Sequence, residues 1–183
     1  MQLCQSNVLL GKVGNTSKPT FVEVVSKRPL PLGTYVSIPF NSVDPVSGEN
    51  MDHCLIGVVS STSYRRSVPV SGVATLESGE LYTEFEQDLA QYGSAYVRIF
   101  ADIVEKHIAV PRFPPPPNTY VYLAPSTVLS MLFSKRGDDA IRIGHLVGRP
   151  EVSVYVSINA LVKHLFITGT TGSGKSNTVA ILA

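Results

Sequence analysis

Ser94-Ala95-Tyr96-Val97-Arg98-Ile99-Phe100-Ala101-Asp102-Ile103-Val104-Glu105 is the most regular alternation in the chain. Val97, Ile99, Ala101 and Ile103 take every second position, with Tyr96, Arg98, Phe100 and Asp102 between them. Successive side chains of a strand point to opposite faces, so this stretch predicts a strand with one wholly apolar face. Such a face suits the interior of a small barrel. On the N-terminal side, short strands are expected at residues 7–13, 21–25, 34–38 and 54–59, rich in β-branched residues. A turn cluster at 14–19, a proline-punctuated corner at 27–33 and an exposed loop at 41–52 separate them. Gly57 falls inside its strand and predicts a bulge or a bend. Strands at this spacing suggest a small antiparallel barrel or sandwich.

Residues 60–78 are polar, with Arg65-Arg66 near their start. Residues 80–92 change period: Leu81, Phe85 and Leu89 recur every fourth position, which predicts a helix capped by Ser78 and ended by Gly93. Downstream, the run Pro111-Arg112-Phe113-Pro114-Pro115-Pro116-Pro117 must be extended, because proline fixes φ and donates no hydrogen bond. It reads as a stiff spacer crossing the domain surface rather than a ligand for a proline-binding module. A strand at 120–123, a helix at 127–133 capped by Ser126 and an exposed turn at 135–139 follow. Strands at 141–146 and 152–158 come next, the second with Val152, Val154, Val156 and Ile158 on one face. A short link at 159–164 then leads to the C-terminal segment.

That segment carries the chemistry. An apolar run, Leu165-Phe166-Ile167-Thr168, predicts a strand; Gly169-Thr170-Thr171-Gly172-Ser173-Gly174-Lys175-Ser176 fits G-x-x-x-x-G-K-[ST]; Asn177-Thr178-Val179-Ala180 suits a helix. A nucleoside triphosphate presents crowded anionic oxygens that need donors at close range. Glycines let the backbone curl so that several N–H groups face one concavity, and the following helix adds unpartnered amides at its positive end. Gly172 and Gly174 would permit close backbone approach. Lys175 would reach the β- and γ-phosphates, and Ser176 would ligate a Mg²⁺ that bridges them. Gly169, Thr170, Thr171, Gly172, Ser173, Gly174, Lys175, Ser176 and Asn177 are therefore the candidate ATP-binding residues. A flexible Gly/Ser linker would explain neither the Gly-Lys-Ser order nor the apolar run before it.

The bulk properties set bounds. The chain has 183 residues, 44% of them hydrophobic, and a net charge of +1. That charge does not resemble a free-standing nucleic-acid-binding domain. Residues 77–105 are acid-rich, with Arg98 their one base, and bases dominate from Lys106 onward. This reads as a solvated acidic helix face, with a docking face for a basic partner as the alternative. Cys4 and Cys54 lie far apart with no C-x-x-C, and are expected to be buried small apolar residues rather than a disulfide or a metal site. His53, His107, His145 and His164 show no ligand spacing. No apolar run approaches the length of a membrane span and no secretory signal is visible, so a cytoplasmic protein without a membrane partner is expected.

Several stretches together resemble the archaeal HerA helicase-translocases of the HerA/FtsK superfamily. They are Arg28-Pro29-Leu30-Pro31-Leu32-Gly33-Thr34-Tyr35-Val36, Ile141-Arg142-Ile143-Gly144, Lys163-His164-Leu165 and Thr171-Gly172-Ser173-Gly174-Lys175-Ser176-Asn177-Thr178-Val179-Ala180. The resemblance spans nearly the whole chain and is densest at its C-terminal end. It implies a mainly β fold: a small antiparallel β-barrel of the HAS-barrel kind with one or two short helices, over residues 1–160. The first strand and helix start of a RecA-like α/β P-loop domain would follow over 161–183. It further implies a hexameric, ATP- and Mg²⁺-dependent DNA motor that partners the nuclease NurA in processing double-strand break ends. The barrel would help close the ring and dock the nuclease. The run Pro114 to Pro117 departs from the family pattern. The Walker B, sensor and arginine-finger positions are expected beyond Ala183, so no catalytic base can be named. The 183 residues themselves are expected to act as an assembly and docking module without ATP hydrolysis. The alternatives are a P-loop kinase with a barrel extension, or a stand-alone interaction barrel.

Overall fold

The computed structural model describes residues 2–45, 47–66, 91–105, 107–134, 137–163 and 166–182. They form two compact units, Met1–Leu132 and Phe133–Ala183. The first holds strands β1 (Leu9–Lys18), β2 (Phe21–Ser26), β3 (Tyr35–Val43), β4 (Asn50–Arg66), β5 (Gln91–Val104), β6 (His107–Ala109) and β7 (Tyr120–Leu123). All pairings are antiparallel, in the order β2-β1-β7-β3-β4-β5, and β2 pairs in turn with β5. The result is a closed barrel of six strands, with β6 added along the far part of β5. Its interior is filled by Val13, Val22, Val24, Val36, Ile38, Leu55, Ala95, Val97 and Ile99, all nearly or fully buried. The mainly β barrel that the alternation implies is thus the observed architecture.

The alternation of β5 does not run unbroken. Ile56 of β4 faces Ala101, yet Gly57 faces Ile99, so Phe100 is an extra residue without a partner on β4. Such a bulge exchanges the two faces beyond it. Arg98 points outward before the bulge; Asp102, which the unbroken pattern places on that same outer face, turns inward opposite Leu55 and is buried. Ala101 and Ile103 lie on the outer side with Ile56 and Cys54, although they too are buried. Gly57 sits at the slip as expected. A Cβ there would lie 2.5 Å from Val97 Cγ1 and 2.8 Å from the Arg98 carbonyl oxygen.

The outward side of β3 and β4 is covered by the chain's N-terminal end. A 3₁₀ turn, Gln2–Cys4, lies against it: the Ser37 hydroxyl donates to the Cys4 carbonyl at 2.6 Å, and Cys4 is bonded to Cys54. Both cysteines are buried, but the expectation that they stay unpaired is overturned. Their separation of 50 residues hides a proximity that only the folded barrel creates.

Other elements also differ from the sequence reading. Gly14-Asn15-Thr16 lies inside β1, where the register to β2 shifts between Val13 and Ser17; these breakers make an irregularity in the ladder, and the chain reverses only at Pro19-Thr20. The loop expected at 41–52 shrinks to 44–49, where Asp44 accepts from the Ser47 and Gly48 amides and Asp44 N donates to Glu49 O. Gly93, expected to end a helix, is paired within β5; the expected helix residues 80–90 lie outside the described residues. Helix α1 (Ser126–Phe133) starts with the Val128 and Leu129 amides on the Pro125 carbonyl, so Pro125 rather than Ser126 stands at the cap. The proline run 111–117 is extended, with Pro115 buried and its carbonyl accepting from the Ser17 hydroxyl at 2.6 Å.

The second unit begins with a hairpin of β8 (Ala140–Leu146) and β9 (Arg149–Ser157), which turns at Val147-Gly148 with Gly148 at φ 73°. Helix α2 (Ile158–Lys163) follows, so Ile158 opens a helix instead of closing the strand. This hairpin, read from sequence as part of the barrel, groups with the C-terminal segment. Helix α3 (Lys175–Leu182) completes the unit.

Two stability predictions follow from the barrel. Gly57→Ala forces a methyl against a backbone carbonyl and is expected to cost about 1–3 kcal/mol, read from the urea midpoint. Closing a loop of 50 residues is worth roughly 4 kcal/mol in the chain-entropy account. Cys4→Ser is therefore expected to lower the midpoint, and dithiothreitol should lower the wild type but not the variant.

Candidate nucleotide-binding site

Residues 166–170 approach the loop without regular secondary structure, not as the strand expected there, and Phe166 is exposed. A strand needs a neighbour to take its amides, and among the described residues none pairs with this stretch. The loop itself is well formed. A Cβ at Gly169 would fall 2.5 Å from Ser173 Oγ, so the backbone curls tightly there. Gly172 and Gly174 have φ of 82° and 86°, in the left-handed region that glycine alone enters readily, and nothing crowds either one. The requirement for glycine at these positions is therefore one of backbone conformation. The Ser173 amide donates to the Thr170 carbonyl at 3.2 Å and closes the turn.

Lys175 is the first residue of α3, and Thr178 N donates back to Gly174 O at 2.9 Å. The Lys175 ammonium donates to the Thr170 carbonyl at 2.8 Å and so lies folded across the loop. Ser176 and Asn177 stand exposed in the first helical turn, and Thr171 is exposed in the loop. The structure thus brings the expected residues into one short turn with a lysine charge at its centre and free helix amides behind it. The donor set suits phosphate oxygens. Among the described residues no group of three His, Cys, Asp or Glu side chains is placed to hold a metal. A hard cation here would be held by the Ser176 hydroxyl and by the phosphates of a nucleotide.

The comparisons with known proteins bear on this segment first. The family model described as "Helicase HerA, central domain" matches residues 141–183. A "Probable helicase" of Methanocaldococcus jannaschii is 30% identical over 182 residues, covering 97% of this chain and 33% of the relative. A "DNA double-strand break repair helicase HerA" of Saccharolobus solfataricus is 30% identical over 160 residues, 87% of this chain and 29% of the relative. Over most of its length the chain is thus similar to HerA-type helicases. It spans about a third of the length of these curated relatives. A protein of the same printed name from Sulfolobus acidocaldarius is 51% identical over 73 residues.

The barrel holds a polar cluster that the sequence did not reveal. His53 Nδ1 lies 2.7 Å from Asp102 Oδ2, and His53 Nε2 lies 2.8 Å from Ser42 Oγ. The Cys54 amide donates to Asp102 Oδ1, while Phe40 and Phe113 flank the imidazole ring. The order Ser-His-Asp matches a nucleophilic triad, but Ser42 sits within β3. Amides of an extended strand alternate in direction and do not converge on one oxyanion, as acyl transfer requires. The cluster acts as a satisfied polar plug at one end of the barrel core. Only the slip at Phe100 could have predicted it.

In the second unit, Asp139 ties the hairpin to α2. It accepts from the Ser157 hydroxyl at 2.5 Å and from Asn159 Nδ2 at 2.9 Å, and its carbonyl accepts from the Ile158 amide at 2.8 Å. The Ser157 hydrogen bond, opposed by partial desolvation and aided by the Asn159 amide, holds the Asp139 carboxyl below the usual carboxylate range. A depressed folded value means that the stabilisation is complete above the ordinary Asp value and is lost as pH falls through the folded one. The protection of the Asn159 amide against exchange, relative to an unstructured amide at the same pH, is expected to hold at neutral pH and to fall in acid below that range. Asp139→Asn should remove this acid dependence, as followed by NMR.

Proposed function

We propose that this chain supplies the assembly barrel and the nucleotide loop of an ATP-driven DNA helicase-translocase. The motor works in the cytoplasm, as a ring of six copies, on the ends of double-strand breaks, with a NurA-type nuclease as partner. The barrel module lies within residues 1–132, and 161–183 enter a RecA-like core. The observation that carries the ATP reading is the left-handed pair Gly172 and Gly174 directly ahead of the helix start at Lys175, within the segment that the HerA model matches. Gly169 to Ser176 cradle the triphosphate. Lys175 leaves the Thr170 carbonyl for the β- and γ-phosphates, Ser176 holds Mg²⁺, and Asn177 lies beside them. The printed names of the relatives support DNA as the substrate. Among the described residues no helix is long and apolar enough to cross a membrane.

The barrel serves assembly. The outward Arg98 and the exposed Phe100 of β5, together with the exposed short edge strand β6, offer contact surface for a neighbouring copy or the nuclease. The loop alone does not make a motor: its approach segment has no flanking strand among the described residues, and α3 is eight residues long, too short to be stable unsupported. We therefore infer that the 183 residues by themselves turn over no ATP.

Two measurements test this. In a protein of the relatives' length that contains this chain, Lys175→Ala is expected to reduce ATP-dependent DNA unwinding by at least about a hundredfold. Unwinding that survives this change would overturn the helicase reading. In the 183-residue chain, steady hydrolysis that Lys175→Ala abolishes would refute the module reading. Arg98→Glu is expected to shift the assembled mass of the longer protein in light scattering, with or without the nuclease.

A further inference from the structure

The barrel carries an open cup of about 1330 Å³. Its walls are β1, β2, the corner at 27–30 and the ends of β4 and β5 where Arg66 faces Gln91. Pockets for single small ligands run to about 1,000 Å³, so this cup has room for a length of chain rather than one small molecule. Lys12, Lys27, Arg28 and Arg65 line it and are exposed, whereas Glu23 is the one carboxylate lining it among the described residues. Glu23 is buried and already engaged: the Ser94 hydroxyl donates to it at 3.0 Å, and Arg65 lies 3.4 Å away. Arg65 is also hydrogen-bonded to the Tyr96 hydroxyl at 2.9 Å. Among the described residues, Lys27 and Arg28 have no opposing carboxylate in the cup, and the Lys12 ammonium, also without one, lies 4.9 Å from the centroid of the Tyr120 ring.

These cations stand on a rigid rim. The Ser26 hydroxyl donates to the Arg28 carbonyl at 2.7 Å. The corner also packs so closely on β5 that a Cβ at Gly93 would meet the Arg28 carbonyl carbon at 2.5 Å. Beside them Tyr64 presents an exposed ring, at 66% of its full accessibility. A groove with uncompensated cations and a free aromatic face is the recognition chemistry of single-stranded nucleic acid: the charges follow the backbone and the ring stacks on a base of any sequence. We infer that this cup binds a short run of single-stranded DNA, held by Lys12, Lys27 and Arg28 and stacked on Tyr64. This inference rests on the DNA-directed reading above. It adds a site on the barrel, separate from the nucleotide loop.

The test is fluorescence anisotropy with a labelled thymidine oligomer of about 15 nucleotides, titrated with the 183-residue chain across a salt series. Lys27→Gln/Arg28→Gln is expected to weaken binding about tenfold and to reduce the magnitude of the log–log salt slope by about 1.4. Tyr64→Ala should weaken binding by a similar factor with little change of slope. Lys18→Gln, on β1 outside the cup, should leave binding as it is. No binding at low salt, or binding that neither cup variant alters, overturns the proposal. A heparin fragment that binds equally well, with Tyr64→Ala without effect on the oligomer, also overturns it, because the cup would then be a general polyanion site. In any of these cases, Lys175-dependent unwinding by the longer protein would leave the helicase reading standing, and its loss would fell that reading separately.

Discussion

The pairing of β2 with β5, from Phe21 opposite Arg98 to Ser26 opposite Gly93, is the constraint on which the first unit depends. Without it the sheet would end in two long open edges, each a row of unpaired amides and carbonyls. With it, every residue at an inward position faces the same small core, and the valines of β2 meet Ala95 and Val97. Closure at so few strands leaves little spare volume. It sets demands that only small residues meet at close approaches: a Cβ at Gly11 would lie 2.3 Å from the Val25 carbonyl oxygen, and Gly93 is equally tight against the Arg28-Pro29 peptide. The same tightness that closes the barrel fixes the basic corner at its rim.

The slip at Phe100 is the second consequence of closure. Beyond it, β5 leaves β2 and takes β6 as its neighbour, so one strand serves two partners along one edge. The exchange of faces turns Asp102 into the barrel, where a lone carboxylate would be costly to bury. His53, Ser42 and the Cys54 amide meet it. The exchange also moves Ala101 and Ile103 to the outer side beside Cys54, where the N-terminal turn is stapled by its disulfide. An apolar outer patch, a buried acid and a covalent clasp thus trace to one inserted residue.

Much of this was legible in the sequence, and the rest was not for physical reasons. Val22, Val24, Val97 and Ile99 announced core strands because alternation is a local property. Gly57 announced the slip, but not that Phe100 would be the extra residue, so the outward placement of Asp102 failed with it. The Cys4–Cys54 bond depends on where the barrel carries two distant segments, which no spacing rule contains. The breakers at 14–16 were read as part of a turn and Gly93 as a helix end because glycine favours both, whereas here glycine serves close packing inside strands. The net charge of +1 concealed the cup, since a sum over the chain cannot register cations gathered on one rim. At the nucleotide loop Gly172 and Gly174 are left-handed and Lys175 opens a helix, because there the motif itself specifies backbone conformation. The reading failed for the approach strand at 166–168, whose pairing is not local.

The loop's own energetics favour the role proposed for it. Glycine enters the left-handed region at little cost, so Gly172 and Gly174 lower the conformational cost of shaping the anion site. What a phosphate must displace is one hydrogen bond, from the Lys175 ammonium to the Thr170 carbonyl, made in an exposed setting. That bond joins an ammonium to a neutral acceptor, whereas an anionic phosphate oxygen pairs the same donor with an opposite charge and accepts from the helix amides as well. The exchange therefore runs toward phosphate as soon as more than one such bond can form. How strongly it runs depends on excluding water from the loop, because the same charges are worth several-fold less in bulk solvent than in a walled site. An exposed loop of this shape has the geometry for triphosphate recognition, and the packing that surrounds it sets the affinity.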